Sequence, residues 1–145
     1  MKNENVRDWM TPNPITITPE TTLPEAHRIM KEKSIRRLPV EDKGRLVGIV
    51  TLGDVRSAEP SGATSLSIWE INYLVSRLKV TEIMTPDPIV VNVDSSVSRA
   101  AHLMLRYKVS GLPVVDYDGR LVGIITESDI FRLVAREWQL EAVTV

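Results

Sequence analysis

Residues 80–130 read VTEIMTPDPIVVNVDSSVSRAAHLMLRYKVSGLPVVDYDGRLVGIITESDI, and residues 6–55 read VRDWMTPNPITITPETTLPEAHRIMKEKSIRRLPVEDKGRLVGIVTLGDV. The two stretches align at an offset of 74 up to Asp42, and one extra residue, Asp118, raises the offset to 75. In this alignment 20 of the 50 positions of the first stretch are identical in the second. Such self-similarity indicates that one supersecondary unit is present twice.

The first half of each copy reads as a strand followed by a helix. The β-branched stretches 15–17 and 89–91 predict the strands. Thr22 and Glu25 predict a capping box at the start of the first helix. Apolar residues at helical spacing predict a buried face, which comprises Leu23, Ala26, Ile29 and Met30 in the first copy and Val97, Ala100, Met104 and Tyr107 in the second.

The second half of each copy reads as a hairpin followed by a helix. Lys43-Gly44 and Asp118-Gly119 predict the two hairpin turns. Helices are expected to begin at Thr51 and Thr126, and the second of them is expected to reach about Leu140. Its apolar face comprises Ile130, Leu133, Val134 and Trp138.

The segment between the copies predicts one more helix. Glu59-Pro60-Ser61-Gly62 is a cluster of residues that break regular structure. Ser67 is then expected to cap a helix. The apolar face of that helix comprises Ile68, Ile71, Val75 and Leu78.

Three motifs recur in the same order in both copies: Met-Thr-Pro from residues 10 and 84, Leu-Pro-Val from residues 38 and 112, and Gly-Ile-x-Thr-x-x-Asp from residues 48 and 123. Together they resemble the CBS domain, which occurs in tandem pairs called Bateman modules. The resemblance covers nearly the whole chain. It implies an α/β (α+β) fold of two βαββα repeats packed about a pseudo-twofold axis, with an extra connecting helix. We expect repeat 1 at residues 1–60, the connecting helix segment at 61–79 and repeat 2 with a C-terminal helix at 80–145.

Thr51 with Asp54, and Thr126 with Asp129, stand where a strand gives way to a helix. The backbone N–H groups and dipole at a helix start favour phosphate, and a carboxylate can accept two hydrogen bonds from the vicinal hydroxyls of a ribose. The same residues fit a plain capping box, with Thr as N-cap and Asp at N3. The two roles are compatible, and the resemblance favours contact with a ligand.

The resemblance also implies two composite clefts. In nucleotide-binding members of the family, the Thr-x-x-Asp of one repeat faces the first strand and the Leu-Pro-Val approach of the other. Cleft A would comprise Pro14, Ile15, Thr16, Ile35, Arg36, Arg37, Thr126, Ser128 and Asp129. Cleft B would comprise Thr51, Asp54, Pro88, Ile89, Val90, Val109, Ser110 and Gly111.

The two clefts differ in charge. Arg36 and Arg37 align with Ser110 and Gly111, and a guanidinium is well shaped to fork onto phosphate. Cleft A is therefore the better equipped for a phosphorylated ligand, whereas Gly111 would let a base or sugar approach the backbone closely. The alternative reading of the two arginines is a solvated charge pair before a strand.

The family resemblance implies a regulatory module that senses AMP, ADP, ATP, NAD or S-adenosylmethionine, with no required cofactor. A ligand-free module for dimerisation or protein interaction is the alternative. The sequence contains no His-x-x-x-His pair, Gly-x-x-x-x-Gly-Lys loop or recognisable nucleophile–base constellation. We therefore expect no enzymatic activity and no metal site, and an effector protein acting in trans.

The composition of the chain limits the classes of partner that we expect it to bind. Eighteen Lys and Arg residues against 19 Asp and Glu residues give a formal net charge of −1, so we do not expect general attraction to nucleic acid or to anionic membranes. The absence of cysteine excludes a disulfide framework, a thiolate metal site and a cysteine nucleophile. We expect a cytoplasmic protein without a signal peptide.

The three tryptophans carry much of the aromatic surface. Burial in the core is the default expectation for Trp9, Trp69 and Trp138. Trp69, with Tyr73 one turn later, and Trp138 nevertheless lie on helices that flank the repeats. The family resemblance suggests that such helices pair two modules, which predicts a homodimer through a mainly apolar, self-complementary face.

Overall fold

The described chain forms two compact units, each built on one small sheet. The structure, a computed structural model, describes residues 3–59 and 67–144, with side chains described up to residue 139. One unit joins Met1–Pro14 to Ile89–Val145, and the other is Ile15–Pro88. The breaker cluster predicted at residues 59–62 falls largely in residues 60–66, outside the described residues.

The order of elements follows the predicted repeat. The first copy contains α1 (Val6–Trp9), β1 (Thr11–Pro12), α2 (Leu23–Lys33), β2 (Arg37–Asp42), β3 (Arg45–Thr51) and α3 (Leu52–Ala58). Next come α4 (Ile68–Arg77) and a 3-10 helix (Val80–Glu82). The second copy continues with β4 (Thr85–Pro86), β5 (Val91–Asn92), α5 (Val97–Tyr107), β6 (Gly111–Val115), β7 (Leu121–Thr126) and α6 (Glu127–Thr144). The mixed α/β class and the connecting helix α4 are confirmed.

Each Met-Thr-Pro motif adds a short strand to the sheet of the other repeat. β1 pairs antiparallel with β7, with Thr11 opposite Ile124. β4 pairs antiparallel with β3, with Thr85 opposite Ile49. The resulting strand orders are β1-β7-β6-β5 in one unit and β2-β3-β4 in the other. This exchange explains why the N-terminal residues belong to the unit of the second repeat.

The prediction of a strand over residues 15–17 is wrong, because the extended pairing is limited to one residue. Ile17 forms only an isolated parallel bridge with Val40, and its N–H donates to the carbonyl of Pro39 at 3.0 Å. A turn in which the Thr21 N–H donates to the Thr18 carbonyl follows at once and ends the extended stretch. In the second copy the strand lies slightly later than predicted, at Val91–Asn92.

Two apolar cores match the predicted helix faces with one exception. Leu23, Ala26 and Met30 of α2 are buried in one core, and Val97, Ala100 and Met104 of α5 are buried in the other. Tyr107, predicted on the same face, is 45% exposed. It is the last residue of α5, which ends where Lys108 takes a left-handed conformation, with φ of 55°.

Both predicted hairpins are present, with different turns. Lys43 and Gly44 both have positive φ, 52° and 80°, as a two-residue turn of type I′ requires. In the second hairpin one oxygen of Asp116 accepts from the N–H groups of Asp118 and Arg120, each at 2.9 Å. This side chain organises the loop that carries the inserted residue.

The connecting helix and the last helix differ in detail from their predictions. Ser67 caps α4 by accepting from the Glu70 N–H at 3.2 Å, but Ile68 is exposed because it lies in the first turn, away from Val75 and Leu78, which pack on the core. α6 continues to Thr144, beyond the predicted end. Within residues 3–59 and 67–144, none of the helices has the length and apolarity to cross a membrane.

Candidate functional site

The first helix start, residues 51–54, is a reciprocal capping box. The Asp54 N–H donates to Thr51 Oγ1 at 3.1 Å, and the Thr51 N–H donates to Asp54 Oδ2 at 2.9 Å. The capping alternative considered from the sequence is thus confirmed here. The cap fixes the orientation of a half-buried carboxylate at the junction of β3 and α3.

The second helix start, residues 126–129, uses the same residue types with different contacts. Asp129 Oδ2 accepts from the Thr126 N–H at 2.8 Å and from Thr126 Oγ1 at 3.4 Å. Asp129 Oδ1 accepts from Arg132 Nη1 at 2.5 Å. Asp129 is only 5% exposed. A buried carboxylate with both oxygens hydrogen-bonded therefore stands at the start of α6.

Each helix start lies beside the strand approach of its own repeat. Arg37 pairs with Thr51 across β2 and β3, and the Leu52 N–H donates to the Arg36 carbonyl at 2.8 Å. In the other unit the Glu127 N–H donates to the Ser110 carbonyl at 3.0 Å, and Gly111 pairs with Thr126. The backbone of each strand approach is thus fixed to the first turn of the helix.

The candidate site residues divide between the two units. The unit of the second repeat contains Pro14, Ile89, Val90, Val109, Ser110, Gly111, Thr126, Ser128 and Asp129. The other unit contains Ile15, Thr16, Ile35, Arg36, Arg37, Thr51, Asp54 and Pro88. The structure brings Arg36 and Arg37 next to Thr51, which the sequence analysis had assigned to the other cleft. The grouping into clefts A and B stays a prediction.

Several candidate residues offer accessible surface. Arg36, Thr16 and Ser128 are exposed. Ile15, between β1 and α2, and Val90, between β4 and β5, present apolar side chains to solvent. Exposed apolar side chains of this kind suit contact with the flat face of a base. A ligand would therefore find polar and apolar groups at these positions.

Asp94 and Glu4, two carboxyl groups in the unit of the second repeat, each have a lowered pKa. The guanidinium of Arg7, 2.6 Å from Asp94 Oδ1, and a hydrogen bond from Tyr117 lower the pKa of Asp94. A hydrogen bond from Trp9 and the guanidinium of Arg136 lower the pKa of Glu4. Among the described residues no three His, Asp or Glu side chains are grouped so that they could hold a metal ion.

Arg132 is the residue at these sites that the sequence analysis missed. It stands three residues after Asp129, a spacing at which helical side chains meet. The alignment offset of 75 places Ser57 at the equivalent position of the first repeat. The signal in the sequence that could have identified this residue is the Asp-x-x-Arg spacing at the helix start, which occurs in the second copy and not in the first.

Comparison with known proteins defines the family. The CBS domain family matches residues 6–61 and 80–136. The chain therefore belongs to the CBS domain family.

Curated relatives share the repeat pair within proteins of different length. An inosine-5′-monophosphate dehydrogenase of Korarchaeum cryptofilum is 40% identical over 117 residues, which cover 81% of this chain and 21% of that protein. CBSX2, a chloroplastic CBS domain-containing protein of Arabidopsis thaliana, is 35% identical over 88% of this chain and 62% of its own length. A CBS domain-containing protein of Dictyostelium discoideum is 37% identical over 90% of this chain and 91% of its own length. The chain thus spans less than two thirds of the length of the first two of these relatives.

Solved structures of similar fold contain adenosyl compounds. CBSX2 in complex with AMP matches with a TM-score of 0.75 and 34% identity, over 92% of this chain and 97% of that chain. The CBS domain pair of protein MJ0100, in complex with 5′-methylthioadenosine and S-adenosyl-L-methionine, matches with a TM-score of 0.76 and 33% identity, over the same shares. The cytosolic domain of the Mg2+ channel MgtE in complex with ATP matches with a TM-score of 0.67 and 32% identity, over 86% of this chain and 46% of that chain.

Proposed function

We propose that this chain is a regulatory module that binds an adenine nucleotide or another adenosyl compound and does not transform it. The main observation in its support is that both repeats have the same helix start. In each, a threonine and an aspartate are hydrogen-bonded to one another where a strand gives way to a helix. A carboxylate there can accept from ribose hydroxyls, and the helix start can attract a phosphate. The adenosyl ligands in the structures of AMP-bound CBSX2 and of MJ0100 support the same ligand class.

The proposal assigns roles to the candidate residues. Asp54 and Asp129 accept from the ribose, Thr51, Thr126 and Ser128 lie at the phosphate side, and Arg36 and Arg37 supply positive charge. Apolar contact with the base comes from the segment between β1 and α2 and from the segment between β4 and β5. The residues assigned to base and backbone contact are Pro14, Ile15, Thr16, Ile35, Pro88, Ile89, Val90, Val109, Ser110 and Gly111.

Regulation would follow from a difference in ligand affinity between two conformations. A ligand shifts such an equilibrium only by its differential affinity for the two states. The effector would be a protein acting in trans. We propose a cytoplasmic location, with which a sequence without cysteine is compatible.

Calorimetry with a matched set of nucleotides tests the proposal. AMP, ADP, ATP, NAD and S-adenosylmethionine form the panel, and GMP tests whether the base must be adenine. Because the proposed carboxylates accept from a vicinal diol, 2′-deoxy-AMP should bind at least several-fold more weakly than AMP. The absence of saturable binding and of any thermal shift with every compound at millimolar concentration would refute the proposal.

A role in self-association is the second candidate, and exposed aromatic groups favour it. On α4, Trp69 is 81% exposed, and Ile68, Tyr73 and Leu74 are exposed beside it. Trp138 on α6 is 66% exposed, so the default expectation of core burial is wrong for both tryptophans, whereas Trp9 packs against a core. Apolar clusters of this kind on a surface mark interaction sites.

We propose a homodimer that uses these helices. Light scattering after size exclusion should give twice the monomer mass at micromolar concentration. A Trp69→Ser change should shift the chain towards the monomer, and Tyr117→Ser, which removes an exposed ring from a hairpin loop, should leave the mass unchanged. A monomer for the unchanged chain would exclude this role.

A further inference from the structure

A basic side chain contacts the aspartate of the second helix start. Arg132 Nη1 lies 2.5 Å from Asp129 Oδ1, and the other carboxylate oxygen is held by Thr126. The equivalent of Arg132 in the first repeat is Ser57, whose short hydroxyl side chain carries no charge. The repeats thus share the aspartate but not the arginine.

Asp129 and Arg132 differ strongly in burial. The side chain of Asp129 is 6% exposed and that of Arg132 is 67% exposed. The carboxylate is held by two groups of Thr126, whereas the guanidinium extends from the helix surface on a long and flexible stem. An ion pair with one well-exposed partner contributes little net free energy, so a ligand can displace Arg132 at modest cost.

A ribose and Arg132 require the same acceptor. The Oδ2 atom of Asp129 is already used by the backbone and hydroxyl of Thr126. The two acceptor positions of Oδ2 are thus directed to Thr126, and Arg132 takes one of the two positions of Oδ1. The two hydroxyls of a vicinal diol need both positions of Oδ1. Binding of the ribose and retention of the ion pair compete for one oxygen atom.

We propose that Arg132 is a latch that lowers ribose affinity at the second helix start and makes the two repeats unequal in their response to ligand. This inference rests on the proposed function. Arg132 acts through Asp129 and is a positioning residue. Removing it frees Oδ1 and strengthens ribose binding at this site only.

Salt dependence separates a latch from a purely structural role. Adenosine is uncharged, so added salt has little direct effect on its contact with the protein. The guanidinium of Arg132 is open to solvent, so salt screens its pair with Asp129, and screening weakens the competitor. Adenosine affinity at the second helix start should rise with salt in the unchanged chain and should not rise in Arg132→Ser.

The experiment follows the Thr126 amide by NMR during titration with adenosine, because the Thr126 N–H is bonded to Asp129 itself. Arg132→Ser is expected to tighten binding about two- to five-fold at low salt, which is the range for loss of a partly exposed ion pair. Arg28→Ser is the matched control, since it removes another helical arginine paired with a carboxylate, Glu32. The control should bind as the unchanged chain does.

The outcomes distinguish the latch from the proposed function. If adenosine shifts the Thr126 amide in the unchanged chain and Arg132→Ser leaves the affinity unchanged or weaker, the latch is overturned and the binding role stands. If adenosine and every compound of the calorimetry panel shift no amide in the unchanged chain or in Arg132→Ser, the proposed function itself is overturned, and the latch with it. Circular dichroism of Arg132→Ser verifies that α6 is retained, and the conservative change Arg132→Lys should restore part of the salt effect.

Discussion

The sulfur of Met10 lies 2.4 Å from the position that a β-carbon on Gly123 would occupy. The carbonyl of Thr11 lies 3.0 Å from the same position. The equivalent pair in the other unit, Met84 and Gly48, has the same geometry. The glycine of each Gly-Ile-x-Thr-x-x-Asp motif is therefore the site at which the Met-Thr-Pro strand can approach the sheet.

We predict that Gly123→Ala destabilises the protein by about 1–3 kcal/mol, as over-packing in a tight interior does. The Met10 side chain can move, but the backbone carbonyl of Thr11 belongs to β1 and cannot move without weakening its pairing with β7. Urea unfolding gives the free energy directly.

Gly53→Ala is the matched control for that measurement. A β-carbon on Gly53 meets only Thr51 Oγ1 at 3.6 Å, an ordinary contact, and alanine favours a helix over glycine by up to about 1 kcal/mol. Gly53→Ala should therefore be neutral or stabilising. Equal stability of Gly123→Ala and the unchanged chain would show that the strand contact does not constrain position 123.

The exchange of strands predicts the behaviour of an isolated second repeat. A fragment of residues 80–145 lacks β1 and also Val6, which is fully buried in the core of that unit. We expect the fragment to be largely unfolded at room temperature, because it loses one edge of its sheet and part of its core. Circular dichroism and thermal unfolding measure this.

A peptide of residues 1–14 should restore the fragment. The expected result is a gain in helical signal that saturates with peptide concentration, since a ligand of the folded state stabilises it by mass action. The same peptide with Val6→Asp should have no effect, because it would bury a charge. A fragment that is equally stable with and without peptide would contradict the assignment of β1 and Val6 to this unit.

Local signals were sufficient to predict most of the fold from the sequence. The hairpin turns, the cap of α4 and the buried faces of α2 and α5 each depend on residues close together in the chain, so their spacing carries the information. The pairing of β1 with β7 does not, because a two-residue strand has no measurable periodicity and its partner is more than 100 residues away. The shortness of the strand at Ile17 likewise depends on the turn that follows it.

The candidate site was predictable in its residue types and not in its contacts. Thr126 and Asp129 are identified by spacing at a strand–helix junction. The Arg132 contact depends on the side-chain conformation of a long residue, and the position of Arg36 beside Thr51 depends on strand pairing. Both need the folded structure, since neither follows from the spacing of motifs along the chain.

Glu4 predicts a pH dependence of stability. Its pKa is lowered first by the hydrogen bond from Trp9 Nε1, at 2.7 Å, and then by the hydrogen bond from Arg136. A carboxyl whose folded pKa is depressed contributes stability that is fully present above its unfolded pKa, near 4.5, and is lost as the pH falls through the folded value. The contribution of Glu4 is therefore present at neutral pH and lost in acid.

The comparison of Glu4→Gln with the unchanged chain isolates this effect. Glutamine keeps an oxygen that accepts from Trp9 but removes the charge that attracts Arg136. The variant should be less stable at about pH 7, and the difference should shrink towards zero at about pH 2–3. A difference that is independent of pH across this range would show that the charge of Glu4 has no part in stability.

Asp129→Asn tests ligand contact separately from the helix cap. The amide keeps an oxygen for the Thr126 N–H but has only one acceptor atom where the carboxylate has two. It then lacks the acceptor that the proposed ribose contact needs. We predict that AMP binding at the second helix start weakens by about ten-fold or more, as expected for loss of a hydrogen bond to a charged group.

Asp94→Asn, which alters a carboxylate of the same unit that pairs with Arg7, should bind AMP as the unchanged chain does. Because the Thr126 cap survives in Asp129→Asn, a loss of affinity without a matching loss of helical structure would separate ligand contact from capping, whereas retained affinity would remove Asp129 from the binding site.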